Sequence, residues 1–143
     1  MDLRVSCSPL LGSKFQNGRK IEMKILIVDD NAGIRRVLRR SLADMASEIQ
    51  ECTDGCDALS SYQAFQPDVV LMDVRMTKMD GLTATRQIRS SYPTARIILV
   101  TDYDDDDLRA AASKAGACNY VLKEELANLS EIVAACARDE GLS

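Results

Sequence analysis

The sequence predicts an α/β protein built on one doubly wound sheet of five parallel strands, each followed by a helix. From Lys24 onward, short apolar runs alternate with segments whose apolar residues recur at helical spacing. The first, third and fourth runs are apolar throughout, which is typical of parallel strands that are covered on both faces. Because crossovers between parallel strands are right-handed, the alternation predicts a doubly wound sheet.

Five apolar runs predict the strands. They span about 24–28, 48–53, 68–72, 96–101 and 118–122. The second run, Glu48-Ile49-Gln50-Glu51-Cys52, alternates polar and apolar residues, so we expect it at an edge of the sheet.

Five helices are predicted, near 32–45, 55–65, 82–91, 104–115 and 125–138. Asn31 is the expected N-cap of the first helix. The second and third helices stop before Pro67 and Pro93, and Gly116 ends the fourth. The apolar face of the first helix is predicted to consist of Ile34, Val37, Leu38, Leu42 and Met45.

The chain is long enough for one domain with a hydrophobic core. It has 143 residues, 46% of them apolar and 28% charged, which is typical of a globular protein. Residues 1–22 show no periodicity and are predicted to form a flexible N-terminal tail before a domain at 23–140. No apolar run approaches the ~20 residues of a membrane span, and no signal peptide is recognisable, so we expect a cytoplasmic protein.

The charge balance argues against nucleic-acid binding. The net charge is −4, and residues 1–22 hold four basic and two acidic residues, which leaves 14 basic and 20 acidic residues in the remainder. An acidic body is a poor partner for a phosphate backbone, and no helix-turn-helix pattern follows residue 140, so direct DNA binding is not expected.

The cysteines are odd in number, and histidine is absent, which fits neither a disulfide framework nor a common zinc site. They are Cys7, Cys52, Cys56, Cys118 and Cys136. Small buried thiols are the favoured interpretation, and a redox pair of Cys52 and Cys56 is the alternative.

Polar residues follow or end four of the predicted strands. They are Asp29, Asp30, Asp73, Thr101 and Lys123. Because the carboxyl ends of parallel strands meet at one edge of an open α/β sheet, these side chains are expected to converge in one crevice. Carboxylate oxygens are ligands that Mg²⁺ prefers, with Asp30 and Asp73 as direct ligands and Asp29 acting through a water.

The same set predicts a phosphoryl-accepting site. A central Asp73 carboxylate can attack phosphorus without a general base, which suits a chain that lacks histidine. Lys123 can neutralise charge on the transferring group, and Thr101 can donate a hydrogen bond to it. Taken singly, each residue also fits a structural role as a cap, a solvated lysine or a strand residue; together they favour a site.

These residues resemble the receiver domain of bacterial two-component response regulators over about 23–140. The elements that carry the resemblance are Ile27-Val28-Asp29-Asp30, Leu71-Met72-Asp73-Val74-Arg75-Met76, Met79-Asp80-Gly81, Val100-Thr101 and Tyr120-Val121-Leu122-Lys123. The stretch Val121-Leu122-Lys123-Glu124-Glu125-Leu126 looks most like receivers linked to a LuxR-type domain. The resemblance implies a flavodoxin-like fold with strand order 2-1-3-4-5.

The resemblance implies a role for each matching site residue. Asp73 is the implied phosphoacceptor, with Asp29, Asp30, Asp73 and the backbone carbonyl of Arg75 as implied Mg²⁺ ligands. Lys123 is implied to contact the phosphoryl oxygens. Such a domain catalyses only its own phosphorylation and dephosphorylation.

The resemblance also implies a switch and its partners. Thr101 would turn toward the phosphoryl group and Tyr120 would fill the vacated space, which changes the face formed by the fourth helix, the fifth strand and the last helix. A two-state equilibrium needs a bias of only a few kcal/mol for this. The implied donor is a histidine kinase or a histidine phosphotransfer protein, and the changed face would bind an output partner or a second copy.

Three positions depart from the family pattern. Thr77 stands where proline is usual, which is expected to loosen the turn, and Glu124 follows the lysine, as in the LuxR-linked subfamily. Asp102 replaces a small residue after Thr101. Its carboxylate either repels the incoming phosphoryl group or points to solvent with Asp104 to Asp107 at a helix N-terminus.

A basic set lies on the polar side of the first helix, and it consists of Arg35, Arg36, Arg39 and Arg40. The resemblance implies that this helix helps to dock the phosphodonor. The alternative is a solvated face with local ion pairs.

Two other functions remain open. One is a receiver-like interaction module that is never phosphorylated. The other is a magnesium-dependent phosphatase or a nucleotide-binding domain, although Asn31-Ala32-Gly33 after the first strand is not a Gly-rich phosphate loop.

Overall fold

The structure, a computed structural model, describes residues 15–16, 19–20 and 23–138. One sheet contains five parallel strands: β1 Lys24–Val28, β2 Glu48–Cys52, β3 Val69–Asp73, β4 Ile97–Thr101 and β5 Asn119–Leu122. Their order is β2-β1-β3-β4-β5, which confirms the expected arrangement and places β2 at an edge.

In the described part of the chain, four helices connect successive strands and a fifth follows β5: α1 Ala32–Leu42, α2 Ala58–Phe65, α3 Gly81–Ser91, α4 Asp106–Ala115 and α5 Leu129–Arg138. Single 3-10 turns, Gly55–Asp57 and Leu126–Asn128, precede α2 and α5. The side chain of Asn31 accepts a hydrogen bond from the Ile34 N–H at 3.0 Å, as expected of an N-cap. Gly116 ends α4 with φ at 99°, a left-handed conformation that favours glycine.

The core has two layers because successive strand residues point to opposite faces of the sheet. Leu26, Met72 and Leu99 belong to a cluster with residues of α2, α3 and α4. Ile25 and Leu71 belong to a second cluster with residues of α1 and α5. Strands β1, β3 and β4 are buried almost throughout, whereas β2 is largely exposed, as its alternating sequence predicts.

Some details of the prediction were wrong. Val37 was placed on the buried face of α1 but is 45% exposed, because α1 packs through the narrower line of Leu38 and Leu42. The first helix also ends at Leu42 rather than at residue 45, and a turn follows.

The cysteine prediction was half wrong. Cys52 and Cys136 are buried, but Cys56 and Cys118 are exposed. Cys56 lies in the 3-10 turn before α2, and Cys118 lies directly before β5. Cys7 lies outside the described residues.

The predicted flexible tail at 1–22 falls mostly outside the described residues. Within it, Phe15–Gln16 pairs antiparallel with Arg19–Lys20. Residues 139 and 140 of the predicted domain also lie outside the described part. Within the part that is described, we find no helix of sufficient length and apolar character to cross a bilayer.

Candidate functional site

The strand ends bring the predicted site residues to one place. Asp29 and Asp30 follow β1, Asp73 is the last residue of β3, Thr101 is the last residue of β4, and Lys123 follows β5. The parallel register sets Val28 beside Met72 and Thr101 beside Leu122, so all these ends share one edge. A cleft of about 210 Å³ opens there, lined by Asp30, Asn31, Asp73, Arg75, Thr101, Asp102, Tyr103 and Lys123.

The three carboxylates form a compact oxygen cluster. One oxygen from each of Asp29, Asp30 and Asp73 lies within 4.8 Å of the others. Asp29 is 1% exposed and Asp73 is 5% exposed, whereas Asp30 is open to solvent. Asp29 Oδ1 accepts the Asn31 N–H at 2.8 Å, but the buried Asp29 Oδ2 has no hydrogen-bond partner.

Lys123 is the cation that pairs with two of the three carboxylates. Its Nζ lies 3.0 Å from Asp73 Oδ1 and 3.3 Å from Asp29 Oδ2, and the second contact is an ion pair without hydrogen-bond alignment. The Lys123 N–H donates to the carbonyl of Thr101 at 2.7 Å, which fixes the start of this side chain. Burial alone would lower the pKa of Lys123, but the hydrogen bond to Asp73 and the charge of Asp29 outweigh it and raise that pKa.

Asp73 is strained electrostatically. The pKa of Asp73 is raised to about 6, chiefly by burial and further by the charges of Asp29 and Asp30, while Lys123 acts in the opposite direction. One ammonium group is therefore too little positive charge for three crowded carboxylates.

The donor set fits a divalent cation. The buried Asp29 Oδ2, which has no hydrogen-bond partner, and two further carboxylates are hard ligands of the kind that Mg²⁺ takes, and added positive charge would relieve their repulsion. Arg75 lines the same cleft, and its backbone carbonyl stays a predicted ligand.

Thr101 and Tyr120, the predicted switch pair, are joined through the backbone of Tyr103. Thr101 is buried, and its Oγ1 accepts the Tyr103 N–H at 3.2 Å. The Tyr120 hydroxyl donates to the carbonyl of Tyr103. The Arg109 guanidinium lies 4.5 Å from the centre of the Tyr120 ring and 3.1 Å from Asp104, so it holds the ring from the other side.

A residue that sequence reasoning missed, Asp54, holds the loop after β3. Its carboxylate accepts the N–H groups of Lys78 at 2.8 Å, Met79 at 3.0 Å and Cys56 at 3.1 Å. Burial would raise the pKa of Asp54, but these bonds outweigh it and lower that pKa. The expected loosening at Thr77 is therefore opposed by a bond to each of the two following residues.

Gly81 sets the position of Asp73 from the other side. It begins α3, and its N–H donates to the carbonyl of Val74 at 2.8 Å. A Cβ at this position would overlap the Asp73 carbonyl oxygen, so only glycine lets α3 approach β3 this closely.

Asp102 lies at the exposed rim of the cleft, and its repulsion of an incoming phosphoryl group stays a prediction. It is exposed, and it also lines the cleft beside Asp73. The N-cap of α4 is Asp105, which accepts the N–H of Asp107 at 2.8 Å, so Asp102 is not needed at that helix end. Beside it, the Arg75 guanidinium stacks 4.4 Å from the centre of the Tyr103 ring.

The basic side of α1 is partly occupied by structural contacts. Arg35 Nε and Arg39 Nε lie 2.8 Å and 2.7 Å from the two carboxylate oxygens of Glu51. Arg35 Nη1 also donates to the carbonyl of Asp29 at 2.8 Å, so it helps to hold the backbone of this site residue in place. Arg36 and Arg40 are exposed, and donor docking stays a prediction for them.

Comparison with known proteins agrees with this geometry. A family model for the response regulator receiver domain matches residues 25–136. The response regulator MprA of Mycobacterium sp. strain KMS is 36% identical over 124 residues, which is 83% of this chain and 54% of that protein. The chain therefore spans about half the length of this curated relative.

Solved structures share the fold. A two-component response regulator of the LuxR family from Aurantimonas sp. SI85-9A1 has a TM-score of 0.71 and 27% identity, covering 85% of this chain and 99% of that one. The receiver domain of the histidine kinase CKI1 from Arabidopsis thaliana, complexed with Mg²⁺, has a TM-score of 0.68 and 27% identity, covering 78% of this chain and 90% of that one. With the family match spanning most of its length, the chain belongs to the receiver domains of two-component response regulators.

Proposed function

We propose that Asp73 accepts a phosphoryl group in a Mg²⁺-dependent reaction and that this modification changes the binding surface of the domain. The observation that carries the proposal is the cluster of three carboxylates, in which Asp73 Oδ1 lies 3.0 Å from Lys123 Nζ. The proposed donor is the phosphohistidine of a histidine kinase or of a histidine phosphotransfer protein, in the cytoplasm.

The residues of the cleft suit each part of the transfer. An Asp73 carboxylate oxygen forms a bond to phosphorus while the bond from phosphorus to the donor nitrogen breaks, and the nitrogen keeps the electron pair. Lys123 lies where it can contact a phosphoryl oxygen, and the Thr101 hydroxyl lines the same cleft. A magnesium ion held by Asp29, Asp30 and Asp73 would neutralise negative charge on the group. The solved receiver of the kinase CKI1 with Mg²⁺ supports this assignment by likeness.

The hydrogen bonds of Thr101 suggest how the modification is transmitted. A phosphoryl group adds roughly −1.5 to −2 charges, which makes it a stronger acceptor than any present partner. If the Thr101 hydroxyl turns to donate to it, the bond from the Tyr103 N–H to Thr101 Oγ1 is lost. The carbonyl of Tyr103, which holds the Tyr120 hydroxyl, then becomes free to move.

The energies are sufficient for such a switch. A neutral hydrogen bond contributes about 1 kcal/mol, and one to a charged group about 1.5–3 kcal/mol. The exchange of one for the other, together with the bond to Lys123, biases the equilibrium by a few kcal/mol, which shifts a minority state to a majority.

The proposed output surface is the face formed by α4, β5 and α5. A groove of about 560 Å³ lies on it, and its lining includes Arg109, Tyr120, Glu124, Asn128 and Ile132. Release of Tyr120 would change this groove, and an output protein or a second copy of the chain would bind there. The domain would catalyse only its own phosphorylation and dephosphorylation.

Acetyl phosphate and Mg²⁺ test the proposal. We expect one phosphate per chain by intact mass, none with a chelator present, and release by hydroxylamine, as an acyl phosphate requires. Asp73→Asn should abolish the adduct. Asp80→Asn is the matched control, because Asp80 is an exposed carboxylate that caps α3 through the Thr83 N–H at 2.8 Å.

Other results identify the alternatives. A folded chain that never takes up phosphate contradicts the proposal and indicates an interaction module. Continuous release of many equivalents of phosphate indicates a phosphatase. An adduct that persists in Asp73→Asn contradicts the assignment of the acceptor.

A further inference from the structure

Two cysteines that are distant in sequence lie in contact at the opposite end of β5. Cys118 Sγ is 2.7 Å from Cys136 Sγ, although 18 positions separate them. Cys118 directly precedes β5, and Cys136 lies in the last turns of α5. The contact joins the beginning of an edge strand to the helix that covers it.

Both cysteines are held in place. The Cys118 N–H donates to the carbonyl of Ile97 at 2.8 Å, which fixes Cys118 beside β4. The Cys136 side chain is 6% exposed and packs in the core cluster that includes Leu129 and Val133 of α5. The two sulfur atoms are therefore brought together by the fold and not by a flexible segment.

The two thiols differ in access to solvent. Cys118 is exposed, and Cys136 is buried. An exposed thiol can meet a small oxidant, and a buried neighbour in contact with it can complete the reaction before further oxidation takes place. This is the arrangement of an attacking and a resolving cysteine.

We propose that Cys118 and Cys136 form a reversible intramolecular disulfide bond in response to a peroxide, and that this bond fixes α5 to the start of β5. The Cys118 sulfur attacks one peroxide oxygen and the O–O bond breaks, which gives a sulfenic acid and one molecule of water. The Cys136 sulfur then attacks the Cys118 sulfur, the S–O bond breaks, and the hydroxide leaves as a second water. Two thiols lose two electrons, and the peroxide gains them. A dithiol reductant restores both thiols by exchange.

The bond would form away from the carboxylate cluster. Cys118 lies at the amino end of β5, whereas Lys123 follows its carboxyl end. Oxidation at one end can therefore restrict α5 without altering the acidic cleft at the other. The inference does not depend on phosphorylation of Asp73.

Peptide mapping of the oxidised full chain tests the proposal. Trypsin cuts after Lys114, Lys123 and Arg138, so Cys118 and Cys136 fall on separate peptides, 115–123 and 124–138. After treatment with hydrogen peroxide and alkylation of the remaining thiols, we expect these two peptides joined, with the loss of two hydrogen atoms. Dithiothreitol should separate them.

Thermal unfolding gives a second readout. Closing a loop of this size should raise the Tm of the oxidised chain by about 10 °C, reversed by dithiothreitol. Cys118→Ser should remove both the joined peptide and the shift, and Cys118 is exposed, so this variant should fold. Cys56→Ser, at the other exposed described cysteine, is the matched control and should keep both.

The contrary outcomes are distinct. If peroxide converts Cys118 to a sulfinic acid, or joins two chains, while peptides 115–123 and 124–138 stay apart, the proposed bond does not form. If the bond forms but the Tm does not rise, α5 is not fixed by it. Either result overturns the proposal.

Discussion

Two buried aspartates at the same edge of the sheet, Asp54 and Asp73, have opposite electrostatic shifts. They are 7% and 5% exposed, and each lies at or just beyond the carboxyl end of a parallel strand. Yet the pKa of Asp54 is lowered, and the pKa of Asp73 is raised to about 6. Burial opposes ionisation in both cases, so burial alone does not decide the outcome.

The difference comes from what surrounds each carboxylate. Asp54 accepts three backbone N–H groups, whereas Asp73 faces two other carboxylates and one ammonium group. Bonds from N–H groups stabilise the charged form, and like charges destabilise it. The charge of Asp54 is thus stabilised by its hydrogen bonds, as suits a structural anchor. The Asp73 carboxylate can still be stabilised by a cation or by forming a covalent bond.

The largest expected effect is on stability at Asp54. Asp54→Ala leaves three backbone N–H groups without an acceptor, so we expect the free energy of unfolding to fall by about 3 kcal/mol in urea denaturation at neutral pH. Asp80→Ala, which removes one exposed cap bond, should cost only about 1 kcal/mol. Equal losses in the two variants would remove the distinction between an anchor and a cap.

Asp73→Asn should change stability in the opposite direction, so we expect its free energy of unfolding to rise. Because the folded pKa of about 6 lies above the ordinary value of 3.8, the folded state binds this proton more tightly than the unfolded chain. The stabilisation from that proton is complete below 3.8 and is lost as pH rises through 6. Without divalent cations, Asp73→Asn should therefore be more stable than the parent by up to about 3 kcal/mol near pH 8.

This gain in stability should vanish near pH 4. A general effect of replacing the carboxyl group by an amide would instead persist at every pH. The check is urea denaturation across the pH range with a chelator present. Asp54, with its lowered pKa, should show the reverse slope, because its contribution is present above its ordinary pKa and is lost as pH falls. A pH-independent difference between parent and Asp73→Asn would refute the repulsion argument.

Magnesium should stabilise the chain through the incomplete carboxylates. A ligand at ten times its Kd raises the free energy of unfolding by about 1.4 kcal/mol, and removal with a chelator should abolish this. Thermal unfolding with and without Mg²⁺ measures it. The shift should disappear in Asp30→Asn and persist in Asp68→Asn, which alters an exposed carboxylate outside the cleft. A shift that survives in Asp30→Asn would place the ion elsewhere.

The smallest expected effect concerns Asp102. Its exposed carboxylate lines the cleft, and like charges in a solvated site interact by less than about 1 kcal/mol, or roughly threefold in rate. We therefore expect Asp102→Ala to be phosphorylated by acetyl phosphate about threefold faster at fixed Mg²⁺. Asp106→Ala, which alters an exposed carboxylate outside the cleft lining, serves as the control, and equal rates in parent and Asp102→Ala would indicate a solvent-directed side chain.

The sequence predicted the sheet well because buried parallel strands leave a plain pattern. Apolar runs ended at Asp73 and Thr101 in the structure as well as in the sequence, and β2 was expected at an edge from its alternation. The helix ends at Asn31 and Gly116 were predictable because capping depends on local residue types. Val37 was misplaced because helical spacing defines a face but not how much of it the sheet covers.

The parts of the site that escaped prediction depend on contacts between distant segments. Asp54 precedes a glycine and could have been identified as a turn former, but its bonds to Lys78 and Met79 cross 24 and 25 positions. The contact between Cys118 and Cys136 likewise requires knowing where α5 ends against β5. Neither the bonds of Asp54 nor the cysteine contact leaves a pattern in the local sequence, because both arise only when distant segments pack together.

The close approach of Gly81 to the Asp73 backbone has a consequence for how such a domain could be silenced. A single methyl group at this position would push α3 away from β3, the strand that ends at Asp73, while the apolar layers on both faces keep their composition. Gly81→Ala is therefore expected to displace Asp73, the proposed phosphoryl acceptor, from Lys123, and so to lower phosphorylation even where the fold is retained.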